Sequence, residues 1–272
     1  MKRLGNRRVI VTGASRGIGA ALATRLAAEG ADVALVARTV AQHDHLAGSL
    51  HETRDRLAGF GGRVVLIAAD LADEDGRSHI IPAAIEGLGG PIDILINNAA
   101  AAIYNMPSAF TPKRRRMTFE VNVFAPHDLA MGVLPSMIER GQGWIVNVSS
   151  GSVRAAPGPP YASDGLGARI GLYGSSKAAL NRLTQALAQD VYGSGVRVNT
   201  IEPRAAVMSE GAAALIADTV KTSQIESMEA MVEATLALCD CDPDFTGRVC
   251  VSLDLIAELG LTVQGLDGSA LR

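Results

Sequence analysis

Short, almost continuous apolar runs alternate along the chain with longer stretches whose apolar residues recur at helical spacing. The apolar runs are predicted strands: Arg8–Thr12, Asp32–Ala37, Arg63–Ala68, Ile92–Ile96, Trp144–Val148, Arg197–Ile201 and Arg248–Leu253. Predicted helices occupy residues 17–29, 42–59, 73–88, 112–140, 173–192 and 226–238. Unbroken Val, Ile, Leu and Ala runs are typical of parallel strands covered on both faces. The pattern predicts an α/β fold with a doubly wound sheet and right-handed crossovers.

Two stretches interrupt this alternation, residues 151–172 and residues 205–223, which are rich in small residues and have no clear period. Each follows a predicted strand at its carboxyl end, where ligands bind in open α/β sheets. Long irregular loops in compact domains are commonly functional. We expect both to be substrate-side loops of a single domain spanning residues 1–272, because no linker, repeat or low-complexity segment divides the chain.

Composition narrows the class of protein. Hydrophobic residues make up 48% and aromatic residues 4% of the chain, which indicates a core of Ala, Val, Leu and Ile. The formal net charge of −3 argues against a general nucleic-acid surface. No apolar run reaches the ~18 residues of a membrane span. The three cysteines form neither a disulfide framework nor a four-ligand zinc site, and the histidines form no ligand cluster. We expect a cytoplasmic protein with no membrane, nucleic-acid or metal partner.

A glycine-rich loop, Gly13-Ala14-Ser15-Arg16-Gly17-Ile18-Gly19, joins the first predicted strand to the first predicted helix. Glycines permit a tight turn and close approach of the backbone to a pyrophosphate, which binds at a helix N-terminus. The alternative is an ordinary strand-to-helix turn. Because strand, glycine turn and helix occur in the required order, the loop is predicted to bind a dinucleotide phosphate.

Two arginines favour NADP(H) over NAD(H) as the dinucleotide. The second predicted strand ends Val36-Ala37-Arg38, so no acid is present to hold a ribose 2′-hydroxyl. An arginine at this place accommodates a 2′-phosphate instead. Arg16, inside the glycine loop, is a second candidate cation. The alternative is that either arginine is a solvated surface charge.

Tyr173 and Lys177 are four residues apart in a predicted helix and therefore lie on one of its faces. A free tyrosine has a pKa of about 10. A nearby ammonium favours the phenolate, and we expect it to lower that pKa. The pair is a plausible proton donor and acceptor for carbonyl chemistry. By itself the spacing is weak evidence, since it arises often by chance.

Several motifs in order resemble the short-chain dehydrogenase/reductase family. They are Thr12–Gly19, Asn97-Asn98-Ala99, Ser150, Tyr173 and Lys177, and the resemblance extends from Arg8 to about Leu253. It implies a single Rossmann-type domain with a seven-stranded parallel sheet and a nicotinamide cofactor. It is specific for the family and uninformative about the substrate.

The resemblance also implies roles for individual residues. Tyr173 is similar to the general acid of reduction or base of oxidation, and Lys177 to the residue that holds the nicotinamide ribose and lowers the tyrosine pKa. Ser150 is similar to the donor that steadies the substrate oxygen, with Ser149 as the alternative. Asn122 is similar to the asparagine that positions a proton-relay water, with an ordinary helix asparagine as the alternative.

The same resemblance assigns a set of cofactor-binding residues along the chain. They are Gly13, Ser15, Arg16, Gly17, Ile18, Gly19, Arg38, Asp70, Leu71, Asn98, Ala99, Tyr173, Lys177, Pro203, Val207 and Ser209. Asp70 is similar to the acid at the adenine ring, although an acid before a helix can equally be an N-cap. Val207 and Ser209 are the candidates for the nicotinamide contact.

The chain departs from the family pattern at several positions. Ala100 replaces the usual glycine, and the 23-residue separation of Ser150 from Tyr173 is longer than usual, so the extra residues should loop over the substrate. Arg204 follows Pro203 where glycine is usual, and it either meets an acidic or thioester-bearing substrate or, as we favour, points to solvent. Tyr161 has Gly165 where the active motif needs lysine, which makes it a loop or pocket residue. The long connection from Arg38 to Leu50, together with Thr111-Pro112-Lys113-Arg114 and Glu202-Pro203-Arg204, resembles hydroxysteroid-dehydrogenase-like proteins and bacterial terpene-alcohol dehydrogenases.

The hypothesis is an NADP(H)-dependent oxidoreductase that interconverts a ketone or aldehyde and an alcohol. The small-residue, apolar loops favour a hydrophobic carbonyl substrate. By the resemblance, we expect a homodimer or homotetramer paired through the helices near 112–140 and 173–192. The alternative from another class is a dinucleotide-binding sensor or scaffold without turnover. An epimerase or dehydratase of the extended branch is disfavoured by the glycine spacing and the short C-terminal part.

Overall fold

Seven parallel strands form one sheet in the computed structural model, which describes residues 2–41, 47–162, 165–210 and 224–271. The strands are β1 (Arg8–Thr12), β2 (Asp32–Ala37), β3 (Val64–Ala68), β4 (Ile94–Asn97), β5 (Gly143–Val148), β6 (Val196–Glu202) and β9 (Val249–Val251). Their spatial order is β3-β2-β1-β4-β5-β6-β9. A separate two-stranded sheet pairs β7 (Ala206–Val207) with β8 (Ile225–Glu226). The predicted doubly wound α/β fold is confirmed.

Helices cover both faces of the sheet. They are α1 (Gly17–Ala28), α2 (Leu50–Leu57), α3 (Glu74–Ser78), α4 (Ile80–Leu88), α5 (Pro112–Phe119), α6 (Ala125–Glu139), α7 (Leu166–Arg169), α8 (Gly171–Asp190), α9 (Met228–Ala237) and α10 (Ser252–Leu259). Short 3₁₀ turns lie at Pro107–Ala109 and Gly151–Val153, and one π-helical turn lies at Glu120–Phe124. None of the helices described combines the length and apolar character that a bilayer crossing requires.

Alternate residues along the strands face two different hydrophobic cores, one on each side of the sheet. In β1, Val9 and Val11 face a core that also contains α1 and α9, whereas Ile10 between them faces a second core with α4 and α6. The same alternation occurs in β5, where Val146 faces the first core and Ile145 the second. Because both faces are buried, every position needs an apolar residue, and this explains the unbroken runs in the sequence.

The predicted helix over residues 73–88 is two helices. It divides at His79 into α3 and α4. Pro82 has no N–H to donate to the Ser78 carbonyl four residues earlier, so a continuous helix would lose a hydrogen bond and meet the proline ring there. Pro82 is tolerated because it lies in the first turn of α4, where backbone N–H groups lack intrahelical partners.

The predicted helix over residues 112–140 is also interrupted, by the π-helical turn between α5 and α6. Pro126, in the first turn of α6, cannot donate to the carbonyl of Asn122. The Ala125 N–H instead bonds the Glu120 carbonyl, five residues earlier. Single π turns of this kind often occur at functional sites, and this one contains Asn122.

Several boundaries differ from the sequence prediction. Of the helix predicted over 42–59, residues 42–46 lie outside the described part of the chain, and α2 begins at Leu50 because the Ser49 hydroxyl caps the Glu52 N–H. The last predicted strand ends at Val251, since Ser252 starts α10, a helix that the pattern did not predict. The short helix α7 was also not predicted.

Candidate active site

A cleft of about 1520 Å³ crosses the carboxyl ends of the central strands. The strand order reverses between β1 and β4, which is where ligands bind in open α/β sheets. Most of the residues predicted for the site line this cleft: Gly13, Ser15, Arg16, Gly17, Ile18, Arg38, Asp70, Leu71, Asn98, Ala99, Ser150, Tyr173, Lys177, Pro203, Val207 and Ser209. Gly19 and Asn122 do not line it; they lie behind its wall, against Gly13 and Ala101 respectively.

The glycine loop packs too closely for side chains. Gly13 adopts a φ of 68°, and a Cβ there would lie 2.9 Å from the Ala99 Cα. A Cβ on Gly19 would lie 2.2 Å from the Gly13 carbonyl oxygen. Gly17, with a φ of 56°, opens helix α1. The result is a cradle of backbone at a helix N-terminus, which fits the pyrophosphate of a dinucleotide.

Thr12 and Asn98 join the ends of β1 and β4. The Asn98 side-chain amide donates to the Thr12 carbonyl at 2.9 Å, while the Thr12 hydroxyl accepts from the N–H groups of Asn98 and Ala99 at 3.0 and 3.1 Å. Asn98 therefore stabilises the glycine loop rather than pointing freely into the cleft. Thr12 was quoted in the family motif, but its bridging role depends on the pairing of two distant strands.

Arg16 and Arg38, the two arginines predicted to favour a 2′-phosphate on the adenosine ribose, differ in their surroundings. The Arg16 guanidinium donates to the carbonyls of Ala47 and Gly48, both at 2.8 Å, and so anchors the segment after β2. The Arg38 side chain is largely exposed and lies 3.9 Å from an Asp70 carboxylate oxygen. Of the two, Arg38 is the cation that a ligand in the cleft can reach without displacing backbone contacts.

Asp70 is not the N-cap of the following helix, which was the alternative left open. Asp73 caps α3 through the Gly76 N–H, whereas Asp70 accepts from the Ala72 N–H in the turn before it. The carboxylate of Asp70 stays on the cleft wall beside Leu71. This position is compatible with the contact to the adenine ring that the resemblance implies.

A carboxylate of the chain itself lies on the phosphate cradle. Glu210 Oε2 accepts from the Gly17 N–H at 2.9 Å, and Ser209 packs so closely that a Cβ on Gly17 would be 2.8 Å from the Ser209 Cβ. The segment after β7 therefore covers the N-terminus of α1. Residues 211–223 of the predicted substrate-side loop lie outside the described part of the chain.

Tyr173 and Ser150 meet at the other end of the cleft. Tyr173 is buried, and desolvation raises the pKa of its phenol well above the ordinary value, while hydrogen bonding to Ser150 acts in the opposite direction. The Ser150 hydroxyl also accepts from the Ser152 N–H at 3.2 Å. Ser149, the alternative to Ser150, is buried, and its hydroxyl has no hydrogen-bond partner among the described residues. The geometry thus pairs Tyr173 with Ser150.

Lys177 was expected to lower the pKa of Tyr173 through the positive charge of its ammonium, and the structure does not bear this out. Its side chain is 1% exposed, its Nζ donates to the Val148 carbonyl at 2.7 Å, and the Nζ lies 5.9 Å from the Tyr173 ring centroid. Burial lowers the pKa of Lys177 to about 8. The expected decrease in the tyrosine pKa is wrong for this structure, because burial raises the pKa of the Tyr173 phenol and also disfavours the Lys177 ammonium that was expected to lower it.

Asn122 supports the loop that follows β4. Its side-chain oxygen accepts from the Ala101 N–H at 2.7 Å, and its amide donates to the Ala101 carbonyl at 3.3 Å and to the Ser176 hydroxyl at 2.9 Å. The side chain is fully buried. It therefore connects the π-helical turn, the loop after β4 and helix α8. The relay role implied by the resemblance stays a prediction.

Two ion pairs at the substrate end were not foreseen. Arg154 pairs with the buried Glu202 at the end of β6, and Arg204 pairs with the exposed Asp254. Burial raises the pKa of Glu202, and both arginines act in the opposite direction. Arg154 and Arg204 line the cleft, so Arg204 lies at its rim rather than only facing solvent. Their carboxylate partners are distant in sequence, and no local pattern indicates them.

Other residues singled out in the sequence lie away from the chemistry. Tyr161 is 71% exposed and does not line the cleft, so it is a loop residue. His43 and His45 fall outside the described residues. Within the described ranges no cluster of His, Cys, Asp or Glu could hold a metal ion. Tyr104, which the sequence analysis did not select, lies against the Tyr173 ring.

Comparison with known proteins agrees with this geometry. Residues 7–219 match the family described as short chain dehydrogenase. Ketoacyl reductase HetN from Nostoc sp. is 32% identical over 203 residues, which cover 75% of this chain and 64% of that protein. Hydroxysteroid dehydrogenase-like protein 2 from Bos taurus is 26% identical over 253 residues, which cover 93% of this chain and 58% of that protein. The chain spans less than two thirds of the length of these curated relatives.

Solved structures share the fold over nearly the whole chain. A putative NAD(P)-dependent gluconate 5-dehydrogenase from Beutenbergia cavernae, with bound NADP, has a TM-score of 0.77 and 28% identity and covers 92% of this chain and 96% of its own. A 3-oxoacyl (acyl-carrier-protein) reductase from Agrobacterium tumefaciens, with NADP bound, has a TM-score of 0.76 and 29% identity, with coverages of 91% and 93%.

The fold and the cleft define a dinucleotide-binding protein of the Rossmann type. The chain belongs to the short-chain dehydrogenase family, and the predicted family membership is confirmed.

The contact of Glu210 with the phosphate cradle generates a prediction. A phosphate must displace this carboxylate from the Gly17 N–H, and an exposed charge at a helix N-terminus contributes about 0.3–1 kcal/mol. We expect Glu210→Gln to lower the dissociation constants of NADPH and NADH by about two- to fivefold. Fluorescence titration measures both constants, with the exposed Glu139→Gln as control. Weaker binding by the Glu210 variant would show that this side chain assists the cofactor.

Proposed function

We propose that the protein is an NADP(H)-dependent oxidoreductase that interconverts a ketone or aldehyde and an alcohol. The observation that carries the proposal is the meeting of Tyr173, Ser150 and Lys177 at one end of a cleft whose other end is the glycine cradle. When bound, the nicotinamide supplies or accepts the hydride. A proton source and a hydrogen-bond donor must then converge on the substrate oxygen, and the chain offers one of each.

Tyr173 is the proposed general acid in reduction and base in oxidation. Because burial raises its pKa, the phenol keeps its proton through the neutral range and can donate it to the oxygen of a ketone that becomes an alcohol. Ser150 is the proposed second donor, which stabilises the negative charge that develops on the same oxygen. The burial of Tyr173 strengthens both interactions.

Lys177 is the residue that we propose stabilises the deprotonated form of Tyr173. With a pKa of about 8, its side chain is mainly an ammonium below that pH and mainly neutral above it. The ammonium stabilises a Tyr173 phenolate when the reaction runs toward oxidation, and its attraction is strong because neither group is exposed to solvent. Its hydrogen bond to the Val148 carbonyl fixes its position beside the tyrosine.

The preference for NADP(H) rests on Arg38. The end of β2 carries no acid, and the Arg38 guanidinium is exposed on the cleft wall with Asp70 as its partner at 3.9 Å. A 2′-phosphate would offer this arginine a more highly charged partner than Asp70 does, whereas a 2′-hydroxyl would leave the existing pair in place. The bound NADP in the two solved neighbours supports the proposal by analogy.

Assembly into a homodimer or homotetramer is part of the proposal. Phe124, Met131 and Ile138 recur every seven residues along α6 and the turn before it, and all three are exposed, as is Leu183 on α8. Residues at this spacing lie along one stripe of a helix. An exposed apolar stripe on long helices is the kind of surface that subunits bury on association.

The first test concerns Tyr173. Tyr173→Phe removes the proton source without removing the ring, and we expect kcat in ketone reduction to fall about 10²- to 10⁴-fold. NADPH oxidation with a panel of ketones and aldehydes is measured by absorbance, with Tyr192→Phe, an exposed tyrosine just beyond the C-terminal end of α8, as control. Turnover of the Tyr173 variant at the wild-type rate would contradict the assignment. Tight binding of NADPH without turnover of any carbonyl or alcohol would favour the sensor or scaffold instead.

The second test concerns the cofactor. Arg38→Ala should weaken NADPH binding about tenfold and leave NADH binding nearly unchanged, since only NADPH carries the 2′-phosphate. Titration of both cofactors measures the ratio of dissociation constants. Arg54→Ala, which removes another exposed and paired arginine, is the control. An unchanged ratio would refute the role of Arg38.

The third test concerns assembly. Light scattering of the purified protein should give the mass of two or four chains. The double variant Met131→Glu/Ile138→Glu should give the mass of one chain, because burying two carboxylates in an apolar interface is unfavourable. A wild-type protein with the mass of a single chain would exclude the proposal.

A further inference from the structure

A second phenol, Tyr104, stands beside the catalytic one. Its ring centroid lies 5.6 Å from that of Tyr173, the two ring planes are inclined by 59°, and Tyr104 lines the cleft. The side chain is half-buried. Its hydroxyl makes no hydrogen bond to any residue that the structure describes. Because the side chain is only half-buried and lines the cleft, its hydroxyl is accessible from the cleft, and its hydrogen-bonding capacity is available for a ligand.

The loop that carries Tyr104 is fixed on both sides of it. Three residues before Tyr104, both backbone polar groups of Ala101 are bonded to the Asn122 side chain. One residue after it, the Asn105 N–H donates to the Arg169 carbonyl of α7 at 3.0 Å. Asn122 also bonds Ser176 on α8, the helix that carries Tyr173. The position of Tyr104 relative to Tyr173 is therefore set by a continuous hydrogen-bond network.

The hydroxyl of Tyr104 is a donor at neutral pH. Desolvation raises the pKa of this phenol, so the proton remains bound under assay conditions. The reacting carbonyl oxygen has two lone pairs, and Ser150 and Tyr173 are the donors proposed for them. A third donor on the same wall is available for another atom of the substrate. If residue 104 served only to pack against Tyr173, a phenylalanine would fill the same space. Packing therefore does not explain the hydroxyl.

We propose that Tyr104 is a specificity-determining residue whose hydroxyl donates a hydrogen bond to a second oxygen of the substrate. The preferred substrates are then ketones and alcohols with an oxygen function one or two carbons from the reacting carbon, such as β-keto esters or α-diketones, rather than plain ketones. This inference rests on the proposed function. The earlier expectation was a hydrophobic carbonyl substrate. The substrate now proposed also carries a hydrogen-bond acceptor near its reacting carbonyl group.

The experiment compares matched ketones in the wild-type protein and in Tyr104→Phe. Ethyl acetoacetate and diacetyl carry the second oxygen function, and methyl pentyl ketone and methyl ethyl ketone are their counterparts of equal chain length without it. We expect wild-type kcat/KM to favour the oxygenated ketones, and Tyr104→Phe to lower their kcat/KM about three- to tenfold while the plain ketones change less than twofold. Calorimetric titration of each ketone in the presence of NADP⁺, which cannot reduce it, gives the dissociation constants. If turnover is too slow to measure, the ratio of these constants between the two classes of ketone replaces the ratio of kcat/KM.

Two controls separate specificity from structure. Tyr161→Phe removes the hydroxyl of an exposed tyrosine outside the cleft and should change neither class of ketone. Tyr104→Leu also removes the ring, and it should lower kcat/KM for both classes if the ring supports Tyr173. An equal effect of Tyr104→Phe on both classes, or no effect on either, overturns the proposal while turnover itself continues. The outcome is different if the proposed function itself is wrong, because the wild-type protein will then turn over none of the ketones.

Discussion

The close approach of the glycine loop to the end of β4 is the contact on which the site depends. Gly13 and Gly19 leave no room for a Cβ, and this lets the Asn98 amide reach the Thr12 carbonyl. The contact joins the two strands between which the sheet reverses its order. The glycine loop and the proposed proton-transfer group Tyr173, which come from opposite halves of the chain, consequently line one cleft.

Burial shifts the protonation equilibria of Tyr173 and Lys177, at the end of the cleft for which we propose the chemistry. Removing Tyr173 and Lys177 from water disfavours the charged form of each, so the phenol holds its proton and the amine loses its proton more readily. The same low-dielectric surroundings strengthen the interactions with Ser150 and with any charge on a substrate oxygen. Hydrogen bonds from Lys177 to Val148 and from Asn122 to Ala101 hold these groups in place.

Much of the architecture was predictable because it depends on local pattern. A strand buried on both faces requires continuous apolar residues, and a tight phosphate loop requires glycine. The breaks at Pro82 and Pro126 also have local causes, since proline lacks an N–H, although the apolar periodicity runs through both. The contacts of Glu210 with Gly17, of Glu202 with Arg154 and of Tyr104 with Tyr173 have no such local signal, because each joins segments far apart in the chain.

The sequence by itself determined the alternation of most strands and helices and the position of the glycine loop, which follow from residue type and spacing over a few residues. It connected Ser150, Tyr173 and Lys177 only through the resemblance to the family. Only the tertiary structure decided which groups are dehydrated, which carboxylate contacts the Gly17 N–H and which second phenol lies beside Tyr173. Those properties depend on what packs against each side chain, and packing is fixed only when distant strands and loops meet.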